Sequence, residues 1–280
     1  MSLRLAAGDW AAEFLPDRGL LGLSLTFRGR ELLHQRGGLG TWKVGGSTMA
    51  LPLLAPWANR LSQWTYEGDG VPVDLRGAPV VKVDEHGLPI HGTMIAQPGW
   101  EVVRADASSF TARFAYDRED LLSAFPFPHD LEVDVVLDGG LRLETAIVAR
   151  DRPVPVSFGW HPYFRIDRSS DVLGLPERSA VELDDRGIPT GREDPLPAEV
   201  GPLDDRVLDS HFALGSERRF TLRDLQLVYE EGYPFAQVFA PAGSEFVAIE
   251  PMTAKVNALV DGGAPLVEPG GRFAARFSLS

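Results

Sequence analysis

A carboxylate and an imidazole together can take a proton from one oxygen of a substrate and give one to another near neutral pH. Glu250 and His161 have settings suited to that work. Glu250 ends the apolar run Phe246-Val247-Ala248-Ile249 and precedes Pro251. A carboxylate at the end of a buried strand loses solvent, so its pKa rises and it becomes a better general base. His161 sits in Ser157-Phe158-Gly159-Trp160-His161-Pro162-Tyr163-Phe164, which packs four aromatic rings, a histidine and a proline into eight residues. Pro162 restricts His161 to an extended backbone. Alone, the His161 stretch reads equally well as a buried edge strand with a core histidine, and Glu250 without a partner reads better as a salt-bridged strand-end glutamate.

Other residues supply what a proton-transfer pair needs around it. His91, between Ile90 and Gly92, is a polarising histidine flanked by turn residues. Arg60 and Asp209 are placed to fix hydroxyl groups, with Asn59 beside Arg60. Trp57, Trp160 and Phe164 are the expected aromatic walls, able to stack on the apolar face of a sugar. A metal site at Asp84, Glu85, His86 and His91 is not expected, because the spacing of compact metal sites is missing. Cysteine is absent, which removes thiolate metal sites, disulfides and a cysteine nucleophile. Gly-x-Ser-x-Gly, Walker and Gly-x-Gly-x-x-Gly motifs are also absent, so no serine-nucleophile motif competes and nucleotide use has no support.

The elements that must position these residues read as strands. Trp10–Leu15 and Leu21–Phe27 are short apolar runs, and the second alternates with a period of two. Residues 37 to 59, rich in glycine and proline, are poor material for a helix. Strand-like runs return over 61 to 84. Leu131 to Leu137 and Leu141 to Ile147 alternate on either side of Asp138-Gly139-Gly140, an antiparallel hairpin. Arg118 to Ala124 and Ala254 to Val260 read as short helical turns. Residues 165 to 210 read as long loops with one strand at 179 to 183. Strands then follow at 219 to 223, 226 to 229, 235 to 240, 246 to 250 and 272 to 279. The absence of long helical stretches between strands predicts an all-β fold, a large antiparallel β-sandwich formed by residues 1–280 as one domain.

The formal charge of −13 disfavours nonspecific contact with nucleic acid or anionic membranes. No apolar run reaches the roughly 18 to 20 residues that span a bilayer. The first residues lack a basic segment followed by a long apolar run, so no signal peptide is expected. The expectation is a cytoplasmic protein, monomer or homodimer, whose partner is a small-molecule sugar.

Five pieces of the chain, in order, carry a resemblance to the aldose 1-epimerase (galactose mutarotase) family: Asn59-Arg60; His91-Gly92 with Trp100; His161-Pro162-Tyr163-Phe164; Leu208-Asp209-Ser210-His211-Phe212; and Ile249-Glu250-Pro251-Met252-Thr253. The resemblance implies a β-supersandwich and interconversion of the anomers of a free aldose without cofactor. It also implies Glu250 as base, His161 as acid, and sugar binding by Arg60, His91 and Asp209. The sequence departs from the family at Leu54-Ala55-Pro56-Trp57, Trp160, Leu208 and Ser210, leaving the proton-transfer pair intact. Three alternatives accompany this reading. A hexose 6-phosphate 1-epimerase would need basic residues such as Lys43, Arg60 and Arg165 at one end of the sugar. A carbohydrate-binding module would need no acid and base. A glycoside hydrolase or lyase would need a second carboxylate, for which Asp209 is the candidate.

Overall fold

The structure is a computed structural model and describes residues 2–280. Two large antiparallel sheets face one another. One has nine strands, running from Glu199–Pro202 at one edge through Leu225–Glu231, Arg272–Leu279, Leu141–Ala149 and His129–Leu137 to Glu101–Ala105 at the other. The second has eight strands, seven on its main path and Tyr163–Arg165 paired beside it with Phe246–Met252. Its centre is formed by Leu208–Leu214, Phe235–Ala240, Phe246–Met252 and Gly159–Trp160. A four-stranded sheet built from Leu3–Ala7, Trp10–Leu15, Leu21–Phe27 and Arg30–Glu31 adds to one flank. The two α-helices among the described residues, Glu119–Leu122 and Ala258–Asp261, have four residues each. None of the helices is long and apolar enough to cross a membrane.

The hairpin expected around Asp138-Gly139-Gly140 forms in register, from Leu137 opposite Leu141 to His129 opposite Ala149. Along its first strand Leu131, Val133, Val135 and Leu137 are buried, while Glu132, Asp134 and Val136 are partly open. That period of two is what a strand with one core-facing side produces.

Residues 165 to 210 differ from the expectation of long loops. Val172–Leu175, Arg178–Leu183, Pro189–Leu196 and Glu199–Pro202 are all strands. Pro189–Leu196 and Glu199–Pro202 are sheet edges and are mostly exposed. Edge strands tolerate proline and charge, and with no buried face they lose the apolar alternation by which strands are recognised.

The strand Phe246–Met252 is buried along its whole length. It pairs with Phe235–Ala240 on one side and with Gly159–Trp160 and Tyr163–Arg165 on the other. Val247 and Ile249 join the main core between the sheets. Phe246 and Ala248 instead pack with Tyr163 and Phe239 in a small separate cluster. Alternation therefore aims Glu250 at the same side as Phe246 and Ala248, away from the core.

Candidate active site

The register across the eight-stranded sheet assembles the site in rows. His211 lies opposite Gln237, and Gln237 opposite Glu250. In the next row Asp209 lies opposite Phe239, Phe239 opposite Ala248, and Ala248 opposite Tyr163. Side chains two residues apart on neighbouring strands meet on one face. Thus Asp209, Gln237, Phe239, Tyr163 and Glu250 come together although widely spaced in sequence. They line a cleft of about 290 Å³ with Arg36, Thr48, Asn59, Arg60, Lys82, His91 and His161 among its other walls.

At its floor, His161 Nε2 is 3.2 Å from Glu250 Oε1, with both side chains almost fully buried. The Tyr163 hydroxyl is 3.1 Å from the same His161 nitrogen, and the two rings stack at 4.2 Å. The Tyr163 oxygen also accepts a hydrogen bond from Arg36 Nη1 (3.2 Å) and contacts the Thr48 hydroxyl. Burial holds the Glu250 carboxyl well above its ordinary pKa, and the nearby Asp209 adds to the effect. Burial likewise holds His161 well below the usual imidazole value, helped by the positive charges of Lys82 and Arg36. Both shifts favour the uncharged pair, a carboxylic acid beside a neutral imidazole.

His91 reaches the cleft from a strained backbone. Asn59 and His91 both adopt left-handed conformations, with φ of 57° and 63°. The His91 N–H donates to the Asn59 carbonyl (3.0 Å), and Asn59 Oδ1 accepts from the Arg60 N–H (2.8 Å). Gly92, at φ 63°, packs so closely that a Cβ there would lie 2.1 Å from the Ala55 carbonyl oxygen. Only glycine fits that approach, and it turns His91 toward the cleft. Burial keeps His91 well below the usual value and therefore neutral, and its ring meets that of His161 edge-on at 5.4 Å.

Arg60 is clamped. Its Nε donates to Asp84 Oδ2 at 2.6 Å and its Nη2 to Glu85 Oε1 at 3.1 Å. Asp209 stands at the open rim and accepts from Gln237 Nε2 at 2.6 Å; the surrounding protein pushes its carboxyl up. Glu250 Oε2, Gln237 Oε1 and His91 Nδ1 are buried with no hydrogen-bond partner among the described residues. Buried polar atoms left this way keep unused hydrogen-bonding capacity at the site.

The cleft thus gathers Asn59, Arg60, His91, His161, Asp209 and Glu250. It does not gather the expected aromatic walls. Trp57, Trp160 and Phe164 are fully buried core residues and do not line it. Trp160 donates its indole N–H to Thr145 Oγ1 of the opposite sheet, and Phe164 packs with Leu222, Leu227, Ile249 and Leu279. The reason is parity: residues 160 and 164 are offset by odd numbers from His161, so extended backbone turns them to the opposite side. By the same rule Tyr163 faces the cleft, and it was readable from the sequence as the ring two residues after His161. Phe239, Gln237, Arg36, Thr48 and Lys82 carried no motif and were missed. Among the described residues no group of three or more His, Asp or Glu side chains is arranged to hold a metal ion. A larger edge concavity of about 590 Å³ involves Arg178, whose guanidinium already donates to the Pro176 and Pro197 carbonyls.

The whole chain superposes on solved structures of this architecture. A galactose mutarotase-like protein from Clostridium acetobutylicum matches with a TM-score of 0.83 at 19% identity, covering 100% of this chain and 94% of that one. A putative aldose 1-epimerase from Escherichia coli K12 matches with a TM-score of 0.80 at 17% identity, covering 100% and 98%. The Slr1438 protein from Synechocystis sp. PCC 6803 matches with a TM-score of 0.77 at 23% identity, covering 100% and 95%. No curated protein sequence is significantly similar to this chain. The family model for aldose 1-epimerase matches residues 23–276. With nearly the whole length accounted for, the chain belongs to the aldose 1-epimerase family, an isomerase family with a β-rich, galactose mutarotase-like fold.

Proposed function

We propose that the protein interconverts the α and β anomers of an aldose by acid–base opening and closure of the sugar ring. The observation that carries this reading is the contact between His161 Nε2 and Glu250 Oε1 at the floor of a polar cleft. Ring opening must remove the proton of the C1 hydroxyl and deliver one to the ring oxygen. Glu250 takes the first and His161 gives the second. The bond between C1 and the ring oxygen breaks, C1 becomes an aldehyde, and rotation about C1–C2 exposes its other face. Closure then reverses both proton transfers.

Proton accounting explains why burial of the pair helps. The reactive form for ring opening is the carboxylate with the imidazolium, reached when one proton hops across the 3.2 Å contact. Opening returns the pair to carboxylic acid and neutral imidazole. That uncharged form is the one favoured by burial. The same form is competent to close the ring, since the acid protonates the aldehyde oxygen and the imidazole accepts the hydroxyl proton. Neutral His91 and clamped Arg60 are positioned to donate hydrogen bonds to sugar oxygens, and Asp209 to accept them.

The test is NMR exchange spectroscopy on pure anomers across a panel of aldoses. Exchange well above the water rate is expected for at least one sugar. Calorimetric binding of sugars without any accelerated exchange would identify a binding protein instead. Release of a reducing end from glycosides would identify a hydrolase. The separation of roles argues against hydrolysis, because Asp209 is held by Gln237 at the rim.

A further inference from the structure

The charges of the cleft are unevenly matched. Arg60 is neutralised by Asp84 and Glu85. Arg165, the other arginine expected near the sugar, donates its Nε to the Leu33 carbonyl. Lys82 and Arg36 both line the cleft and have no carboxylate within ion-pairing distance among the described residues. The Lys82 backbone is pinned beside the catalytic floor, since its carbonyl accepts from the Ile90 N–H at 3.0 Å, one residue before His91. No hydrogen bond or ion pair joins its ammonium to a described residue. Arg36 is held over aromatic faces, its guanidinium carbon 5.3 Å from the Tyr163 ring centroid and 5.5 Å from that of Phe246. It donates to the Tyr163 hydroxyl and the Thr48 carbonyl, which are neutral groups that leave its charge uncompensated.

Acids outnumber bases 40 to 27 in this chain, so acidic partners abound elsewhere on it. Two cations left unpaired over one polar cleft call for a negative charge from outside. We infer that the aldose taken by this cleft carries an anionic substituent, a carboxylate or a phosphate, bound by Lys82 and Arg36. This rests on the aldose reading above and narrows it to sugar acids or sugar phosphates. Charge-assisted hydrogen bonds to the partly buried Lys82 ammonium and to the exposed Arg36 guanidinium, held over two rings, supply the preference. Desolvation points the same way: burial, with repulsion from Arg36 and Arg60, pushes the Lys82 pKa down to about 8, and Glu85 and Asp84, beyond ion-pairing distance, offset this only in part. A bound anion removes that conflict. A competing role is internal: Lys82 could act through space on Glu250 and serve every aldose alike.

The experiment measures anomer exchange for glucose, galactose, glucuronate, galacturonate and glucose 6-phosphate with the wild type, Lys82→Met and Lys82→Arg. The readout is the ratio of kcat/KM for an anionic sugar to that for its neutral counterpart of the same stereochemistry. In the wild type that ratio is expected to exceed ten, by the usual strength of a charged hydrogen bond, about 10- to 100-fold. Lys82→Met should bring it down about tenfold or more, and Lys82→Arg should restore much of it. Raising salt should lower the ratio in the wild type, because the rim is open to screening. Preference for uronates or for the phosphate identifies which anion the subsite takes. A wild-type ratio of one or less overturns the inference, as does an equal loss on neutral and anionic sugars in Lys82→Met. If no sugar exchanges faster than in water, the aldose reading fails separately. Calorimetry on the same panel then decides the subsite: Lys82-dependent binding of the anionic sugars upholds it, and its absence overturns it.

Discussion

Two buried histidines in this molecule have nearly the same setting and different prospects. His129 stacks on Tyr116 at 4.7 Å, inside a cluster with Phe125 and Phe127. His161 stacks on Tyr163 at 4.2 Å. Burial lowers both, His129 to about 4 and His161 well below its usual value. The difference is in the partners. His129 Nδ1 contacts the Phe127 carbonyl at 2.7 Å, and its neighbour Asp130 is tied to Arg113 and Arg150. His161 faces a carboxyl that no arginine holds, at the floor of an open cleft. A perturbed histidine is therefore common to packing and to chemistry, and a titratable partner with solvent access separates them.

Substitutions at the two sites should diverge most at Glu250. Glu250→Gln keeps the size and one acceptor oxygen but cannot take the C1 proton. A general base typically supplies about 100- to 10,000-fold in rate. Exchange spectroscopy should show a loss of that order, while calorimetric affinity stays within about tenfold. His161→Asn should lose a comparable factor, because the ring oxygen then receives no proton. Wild-type exchange rates in Glu250→Gln would show that the contact at the cleft floor is not the proton-transfer pair.

Acid should expose the structural histidine. Its pKa is lower in the folded chain than the ordinary 6.5, so the unfolded chain binds more protons between about pH 6.5 and 4. Stability is therefore full above pH 6.5 and lost as pH falls toward 4, by roughly 3 kcal/mol from His129 alone. His211, lowered to about 3, adds in the same direction. Urea unfolding at pH 7 and pH 4.5 measures the sum, and His129→Leu should reduce the difference between them.

The same variant sharpens the comparison at neutral pH. His129→Leu should cost about 1–3 kcal/mol, because the Phe127 carbonyl loses its partner in the core. Its anomer exchange rate should stay within about twofold of wild type. A large loss of exchange in soundly folded His129→Leu would erase the distinction drawn here. Within the cleft the smallest effect is expected from Tyr163→Phe, which keeps the stacked ring and removes the hydroxyl 3.1 Å from His161 Nε2. One neutral hydrogen bond is worth about 1 kcal/mol, so kcat should fall about threefold to tenfold.

The sequence carried the polar half of the site better than the apolar half. Asn59, Arg60, His91, His161, Asp209 and Glu250 stand in short pieces whose composition invites chemistry, and the fold brings them to one cleft. Trp57, Trp160 and Phe164 were misjudged because large rings near a histidine suggest walls, whereas alternation sends Trp160 and Phe164 into the core. Lys82, Arg36 and Gln237 were invisible for a different reason. Each sits in an ordinary run, and only sheet register or a loop crossing brings it to the cleft. The hairpin around Gly139 was legible because one face is buried. The edge strands between 189 and 202 were not, because neither face is.

The all-buried strand Phe246–Met252 has a bearing on how this protein can go wrong. Its two faces serve different masters, Ile249 for the core and Glu250 for the cleft. Sliding the strand by one position would exchange them, driving a carboxyl between the sheets and an isoleucine into the polar floor. Such a chain would be penalised as a fold before it could persist as an inactive catalyst. Deletions or insertions within this strand should therefore be recovered as insoluble protein and not as well-folded, silent variants. Errors of alignment at the site are in this way screened by quality control of the whole sandwich.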